Sequence, residues 1–433
     1  MVNIGHKGFL LIFTLIIIAL LVDTSIRKIS PFTGDPGTGS DDLAIFISMI
    51  IAYAVGQYLI LESLGKSHLH FQITYKIIKL FQYALVVILA LIAWQVIFTS
   101  GYSSILMKTI VGINYTILVI LTALLSHRFL VWSIPNRNKV VLAYAIAMAV
   151  LAASGIFTVL YINNALSGQR DIEYIRAVRS PIAIVASVEN IFSSSYFVSS
   201  VVAFILTWFA TILLLNHYSK KLGTIRYWIL VLIPLVYFLS QFEAVFLDVF
   251  VSFRKLDPIL FGVTYTLAFS ATKPIGGILF GIAFWSMSKN IENQVVKNYL
   301  IISAYGMVLL FAANQPVGLT LIPYPPFGLV TISFLGLASY LVFIGIYSTS
   351  MSVALDTKLR TVIRKSALDE SKFVEAIGTS EMVKIVERRV RHMVSKTEAD
   401  FREETGIESS LTENEAKEYI RQVLDEVRKS RHS

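Results

Sequence analysis

Along the chain, long apolar runs alternate with short polar connections until about residue 347, where the pattern turns charged and amphipathic. A helix crosses a bilayer with about 20 predominantly apolar residues. On that measure ten runs read as spans: 8–23, 43–61, 77–98, 105–126, 140–161, 197–215, 227–251, 259–285, 299–319 and 327–347. The first follows Lys7, but Val22-Asp23-Thr24-Ser25 is a poor small-residue cleavage site, so it reads as an uncleaved span. The expected fold is all-α: a polytopic integral membrane bundle of about ten transmembrane helices over 1–350, with a short helical cytosolic tail over 351–433.

The connections differ in kind. Residues 30–39, rich in Pro, Gly, Asp and Thr, are a loop of turn chemistry. The longest connection, 163–196, holds a semi-apolar part (172–188) with Arg170, Arg176 and Arg179 around it. It reads either as a re-entrant helix broken at Pro181 or as a mobile loop. In the tail, residues 356–376 begin basic (Lys358, Arg360, Arg364, Lys365), which suits anionic headgroups, and Gly378 is expected to break the helix. Val383, Val386, Val390 and Met393 make a two-heptad seam. Thr412 and Glu415 form a capping box ahead of a stripe of Ala416, Tyr419, Ile420, Val423, Leu424 and Val427. That stripe needs a cover: another tail helix, a second subunit or a protein partner.

Composition supports the membrane reading. Hydrophobic residues are 55% of 433 and charged residues only 15%, against about a quarter charged in soluble domains. The net charge of +9 lies in the membrane part, because the residues from Asp356 onward hold 16 basic and 16 acidic side chains. Loop charge then sets orientation. With the N-terminus in the cytosol, about 12 basic residues fall on the cytosolic face (among them Lys66, Arg128, Lys220 and Lys297) against about 8 outside. This places both termini in the cytosol of a plasma-membrane protein, with the bilayer as its first partner and no nucleic-acid partner expected.

The chemistry concentrates in residues 237–285. Here one apolar run carries Gln241, Glu243 and Asp248, and the next carries Lys273 immediately before Pro274-Ile275-Gly276-Gly277. An ionised side chain at mid-membrane costs about 2.5–3.5 kcal/mol on insertion scales, which makes it a functional-site candidate. Lys273 shares a helical stripe with Thr266, Ser270 and Gly277. It reads as a cation facing a polar cavity, paired or not with Glu243, or as a structural ion pair or interfacial lysine. Glu243 and Asp248 fall on different faces, whereas Gln241 and Asp248 share one, and a solvated helix end explains Asp248. Gly277 and Gly281 form a small-xxx-small face that serves packing as well as function. Asn314-Gln315-Pro316 is a second expected helix interruption. The candidate solute or ion residues are therefore Lys273, Glu243, Gln241, Asp248, Ser270, Asn314 and Gln315; the candidate partner-binding residues are Tyr419, Ile420, Val423, Leu424 and Val427.

Other classes find little support. There is no cysteine, which removes thiolate metal sites and nucleophiles. His68, His70, His127 and His217 lack ligand spacing on one element, so no metal is expected. Asn114-Tyr115-Thr116 matches a glycosylation acceptor but lies inside a span. No phosphate-binding glycine loop, HExxH or nucleophile elbow occurs, so neither a cofactor nor catalysis is expected. Both interrupted helices fall late in the chain without an internal repeat, unlike the inverted-repeat transporter plan.

The segment from His217-Tyr218-Ser219-Lys220-Lys221-Leu222-Gly223 through residues 227–241, and residues 273–285, resemble stretches of archaeal multi-pass membrane proteins without an assigned function. The resemblance covers the last six spans and the tail. It implies a membrane protein of that kind and carries no catalytic or binding residue over. Two functional expectations follow from the residues: movement or recognition of a small solute or ion at a polar intramembrane site, or sensing and scaffolding through the tail. An intramembrane enzyme is the weakest of the three readings.

Overall fold

The computed structural model describes residues 12–24, 40–65, 72–99, 101–167, 174–176, 191–216, 223–240, 270–289, 291, 293–316, 326–356, 360 and 369–405. Among them the helices are α1 (Ile12–Thr24), α2 (Ser40–Gly65), α3 (Gln72–Thr99), α4 (Ser104–Asn136), α5 (Lys139–Ser167), α6 (Ile191–Leu215), α7 (Thr224–Ser240), α8 (Thr272–Lys289), α9 (Gln294–Ala313), α10 (Leu329–Ser333), α11 (Leu335–Leu355) and α12 (Asp369–Thr405). Among the described residues seven spans are long and apolar enough to cross a membrane: α2 to α6, α9, and α10 with α11 taken as one. The other three predicted spans coincide in part with α1, α7 and α8, which are shorter or less apolar among the described residues. The outward face of α3 shows the environment these helices need. Leu80, Val87, Leu91, Trp94 and Phe98 run down it, each 48–69% exposed. A stripe of that size is untenable in water and natural in lipid.

One departure from helix is a short ribbon. Gly101–Ser103 (β1) pairs antiparallel with Tyr174–Arg176 (β2), Tyr102 facing Ile175. The part of the long connection that reads as a re-entrant helix or a mobile loop is extended at 174–176, where β-favouring Tyr and Ile pair with the backbone of Gly101–Ser103. The rest of that connection lies outside the described residues.

Among the described residues α11 is the most deeply buried span. Its sequence, LGLASYLVFIGIYSTSMSVAL, has no polar face, and a helix apolar all round is a buried one. Its neighbours are α9, α4 and α12. Together α10 and α11 form an interrupted span, broken at Phe334 without a proline. The backbone groups at the break find partners from three other helices. Asp23 of α1 accepts from Thr331 N (3.0 Å) and Thr331 Oγ1 (2.7 Å), a carboxylate at a helix N-terminus where the dipole favours it. Tyr53 of α2 donates to Ser333 O at a long 3.4 Å and to Gln82 Oε1 at 2.8 Å. Asn114 of α4 accepts from Gly336 N (3.1 Å) while its Nδ2 donates to Ile110 O (2.9 Å). Irregular backbone at membrane depth survives only with such partners.

α8 packs on α9 through the small-xxx-small face. A Cβ at Gly281 would stand 2.8 Å from Ala304 O, and one at Gly277 3.0 Å from Val308 O. This is the packing use of the motif.

The first turns of α12 are part of the core. Phe373, Val374, Ile377 and Gly378 are buried, and Phe373 meets the rings of Phe129, Tyr144 and Phe284 at 5.9–6.3 Å. Gly378, expected to break the helix, instead lies inside it: a Cβ there would run into Val353, so the glycine permits close approach to α11. One turn on, the buried Glu381 carboxylate accepts from Trp132 Nε1 (2.9 Å) and Tyr347 Oη (3.3 Å). Ser380 Oγ donates to Trp132 O (3.0 Å), and Arg128 lies over the Tyr347 ring at 5.1 Å. Val386 and Met393, from the predicted seam, are 39% and 53% exposed. The capped stripe that includes Tyr419, Ile420, Val423, Leu424 and Val427 lies outside the described residues.

Burial, and then the neighbouring Arg128, lower the pKa of Lys384 below its usual 10.5; Glu381 and Glu387 act against this, and Arg388 with it. Because the folded-state pKa is the lower one, the charged form costs stability below it. That cost fades as pH rises toward 10.5 and is gone above it. Lys384→Met is therefore expected to melt slightly higher than the parent at neutral pH, with the gap closing on titration to alkaline pH; an unchanged or lower melting point at pH 7 contradicts it.

Candidate functional site

Four of the seven solute-site candidates come together where α8 begins and α9 ends. α9 starts on a capped turn, Asn293 Oδ1 accepting from Val295 N and Val296 N. It stops at Asn314, two residues ahead of Pro316. Pro316 restricts the residue before it and lacks the donor needed to continue the ladder. The carbonyl of Asn314 is therefore free for another partner. Lys273 supplies it: Nζ donates to Asn314 O (3.1 Å) and to Ser200 Oγ of α6 (3.0 Å), and stands 6.0 Å from the centre of the Tyr196 ring. A cation at the first turn of its own helix is disfavoured by that helix's dipole, whereas the C-terminus of α9 favours it. The two helix ends so offset one another at one ammonium group.

Around the lysine lies a shell of hydroxyls and amides. Tyr115 of α4 donates to Asn314 Oδ1 (3.0 Å), and Tyr196 stacks on Tyr161 of α5 with ring centres 5.2 Å apart. Gln315 Nε2 donates to Ser270 O and Ala312 O, each at 3.2 Å, tying the segment before α8 to the end of α9. Ser270 is 1% exposed and its Oγ has no hydrogen-bond partner among the described residues. Lys273 and Ser200 are half-buried. The site therefore joins α4, α5, α6, α8 and α9 at the end of the bundle that carries the β1–β2 ribbon.

Gln241, Glu243 and Asp248 lie outside the described residues, and with them the proposed Lys273–Glu243 pairing. Tyr115, Tyr161, Tyr196 and Ser200 were not anticipated. Two signals for them exist in the sequence: Asn114 and Tyr115 are adjacent polar-capable residues in mid-span, and Tyr196 and Ser200 share a helical face four residues apart. Among the described residues no group of three or more His, Cys, Asp or Glu could hold a metal, and His127 is exposed.

Among the described residues the arrangement presents one positive charge on α8, hydroxyls from α4, α5, α6 and Ser270, and amides at the end of α9, with the stacked rings of Tyr161 and Tyr196 on one side. Among the described residues it shows no nucleophile–base pair. Its donors are engaged within the protein, Lys273 on Ser200 and Asn314 and Tyr115 on Asn314, while the buried Ser270 Oγ has no hydrogen-bond partner among the described residues. No protein-family model matches the chain, and neither does any curated protein or any solved structure.

Proposed function

We propose that this chain is a multi-pass plasma-membrane protein that recognises and moves a small anionic solute, such as a carboxylate, through the polar site at Lys273. The observation that supports this most is the ammonium of Lys273, held at 3.0–3.1 Å between Ser200 on α6 and the end of α9, two helices apolar enough to span a membrane. Ionisable residues within membrane-spanning bundles commonly mark substrate or ion paths. Ser200, Tyr115 and Tyr196 add hydroxyls that suit an acceptor-rich ligand. In the orientation favoured by loop charge, ten spans cross the bilayer, the ribbon end faces outward and α12 lies in the cytosol.

Uptake into proteoliposomes tests the transport part. With labelled acetate, succinate, glutamate and phosphate as the panel, at least one is expected to enter through the parent protein and not through Lys273→Ala. Uptake of none, or uptake indifferent to Lys273, contradicts the proposal.

A second reading, a sensor or scaffold that signals through its tail, draws on the anchoring of α12 by Phe373 and Glu381 at the opposite end of the bundle. In that reading a solute at Lys273 biases how α12 sits and so what its later turns present. Deleting residues 385–433, past the anchor, would then abolish signalling to a partner while solute binding persists.

A further inference from the structure

We infer that the crevice between α1 and α2 is a binding site for one acyl chain of a bilayer phospholipid. A cavity of about 210 Å³ lies there, floored by Val330 and Phe334 at the break between α10 and α11. Ala19 on α1 and Ala52 and Gly56 on α2 are among its walls. Small residues at a helix contact let a neighbour approach closely: a Cβ at Gly56 would stand 3.1 Å from the Ile16 side chain, and the crevice lies beside that contact. Of the thirteen lining residues only Tyr53 carries a polar side-chain atom, and its hydroxyl is turned away to Gln82 and Ser333. An apolar cavity of about 150 Å³ stays dry and accepts benzene, so this larger one suits a hydrocarbon segment and not water.

The position of the crevice names the source of that hydrocarbon. Ala52 to Leu59 occupy the middle of the span Asp42–Gly65, at hydrocarbon depth. The rim residues Leu15 and Val55 are 57% and 52% exposed, and on membrane-spanning helices such exposed aliphatic residues face lipid. An acyl chain entering there lies between α1 and α2 and ends against Phe334, the residue at which the α10–α11 span is interrupted. This site is separate from the Lys273 cluster and does not depend on it.

Photolabelling of the full chain in proteoliposomes tests the inference, using phosphatidylcholine with a diazirine midway along one acyl chain and adducts mapped by mass spectrometry. Adducts at Ala19, Ala52 and Leu59 are expected to exceed those at the lipid-facing Leu91 and Ile120 by about tenfold, the ratio that corresponds to 1.4 kcal/mol. Ala52→Phe, which fills the crevice, is expected to remove the excess while labelling at Leu91 and Ile120 stays unchanged, which also reports that the variant is folded. If that variant does not fold, Ala19→Leu takes its place, and the map of the parent protein is decisive by itself. Even labelling of all lipid-facing positions overturns the site, as does an excess that survives both crevice-filling variants. Labelling by a diazirine fatty acid without labelling by the phospholipid overturns the assignment to a bilayer lipid.

Discussion

Phe373→Ala is expected to destabilise the protein by about 3–5 kcal/mol, the usual cost of deleting a buried aromatic ring, and to free the tail. Phe373 is 1% exposed and touches rings on α4, α5 and α8 at once, so its loss leaves a cavity at the meeting point of three helices and the tail. The effect has two readouts. The melting point of the detergent-purified protein falls, and limited proteolysis cuts within α12 at protease concentrations that leave the parent intact. Glu381→Ala works at the same joint by a different cause: the indole N–H of Trp132 loses its acceptor at 2.9 Å. An α12 that resists proteolysis in both variants would show that the tail is held elsewhere.

Asn114→Ala carries the second large effect. Asn114 is fully buried in mid-span and its Oδ1 takes the backbone N–H of Gly336 just after the break at Phe334. Removing the acceptor leaves that donor without its partner in an apolar interior, at a cost of about 1–3 kcal/mol. Alanine at the exposed Thr116, two residues away on the same helix, is expected to change stability by less than about 0.5 kcal/mol. Equal melting points for the two variants would mean that the interrupted span does not depend on Asn114. The comparison separates a specific buried hydrogen bond from a general sensitivity of α4.

Seven of the ten expected spans have counterparts among the described residues, legible because those apolar runs are long and their separators short. Which of them is the most deeply buried was less so. The signal lies in residues 335–355, which have no polar face. The interruption at Phe334 was invisible for a plain reason: Ser333-Phe334-Leu335 contains no proline or glycine, and the break is held open by Asp23, Tyr53 and Asn114 from far along the chain. Gly378 was misread because glycine loosens a solvent-exposed helix yet permits close contact in a packed one, and only the position of Val353 distinguishes the two. At the candidate site, Lys273, Ser270, Asn314 and Gln315 stood out by charge, amide or nearby proline. Tyr115, Tyr161, Tyr196 and Ser200 did not, since aromatic and hydroxyl residues are ordinary in spans until a cation is placed beside them.

The most direct test of the Lys273 site is a thermal-shift titration of the detergent-purified protein with the sodium salts of acetate, succinate, glutamate and phosphate, beside Lys273→Ala and Lys273→Met. A ligand present at about 100 times its dissociation constant stabilises the folded state by about 2.7 kcal/mol. At least one anion is expected to raise the parent's melting point in a saturable way, and both variants, melting as folded proteins, are expected to lose that shift. A parent that responds to none of the four, or variants that respond as the parent does, would contradict an anion site at Lys273.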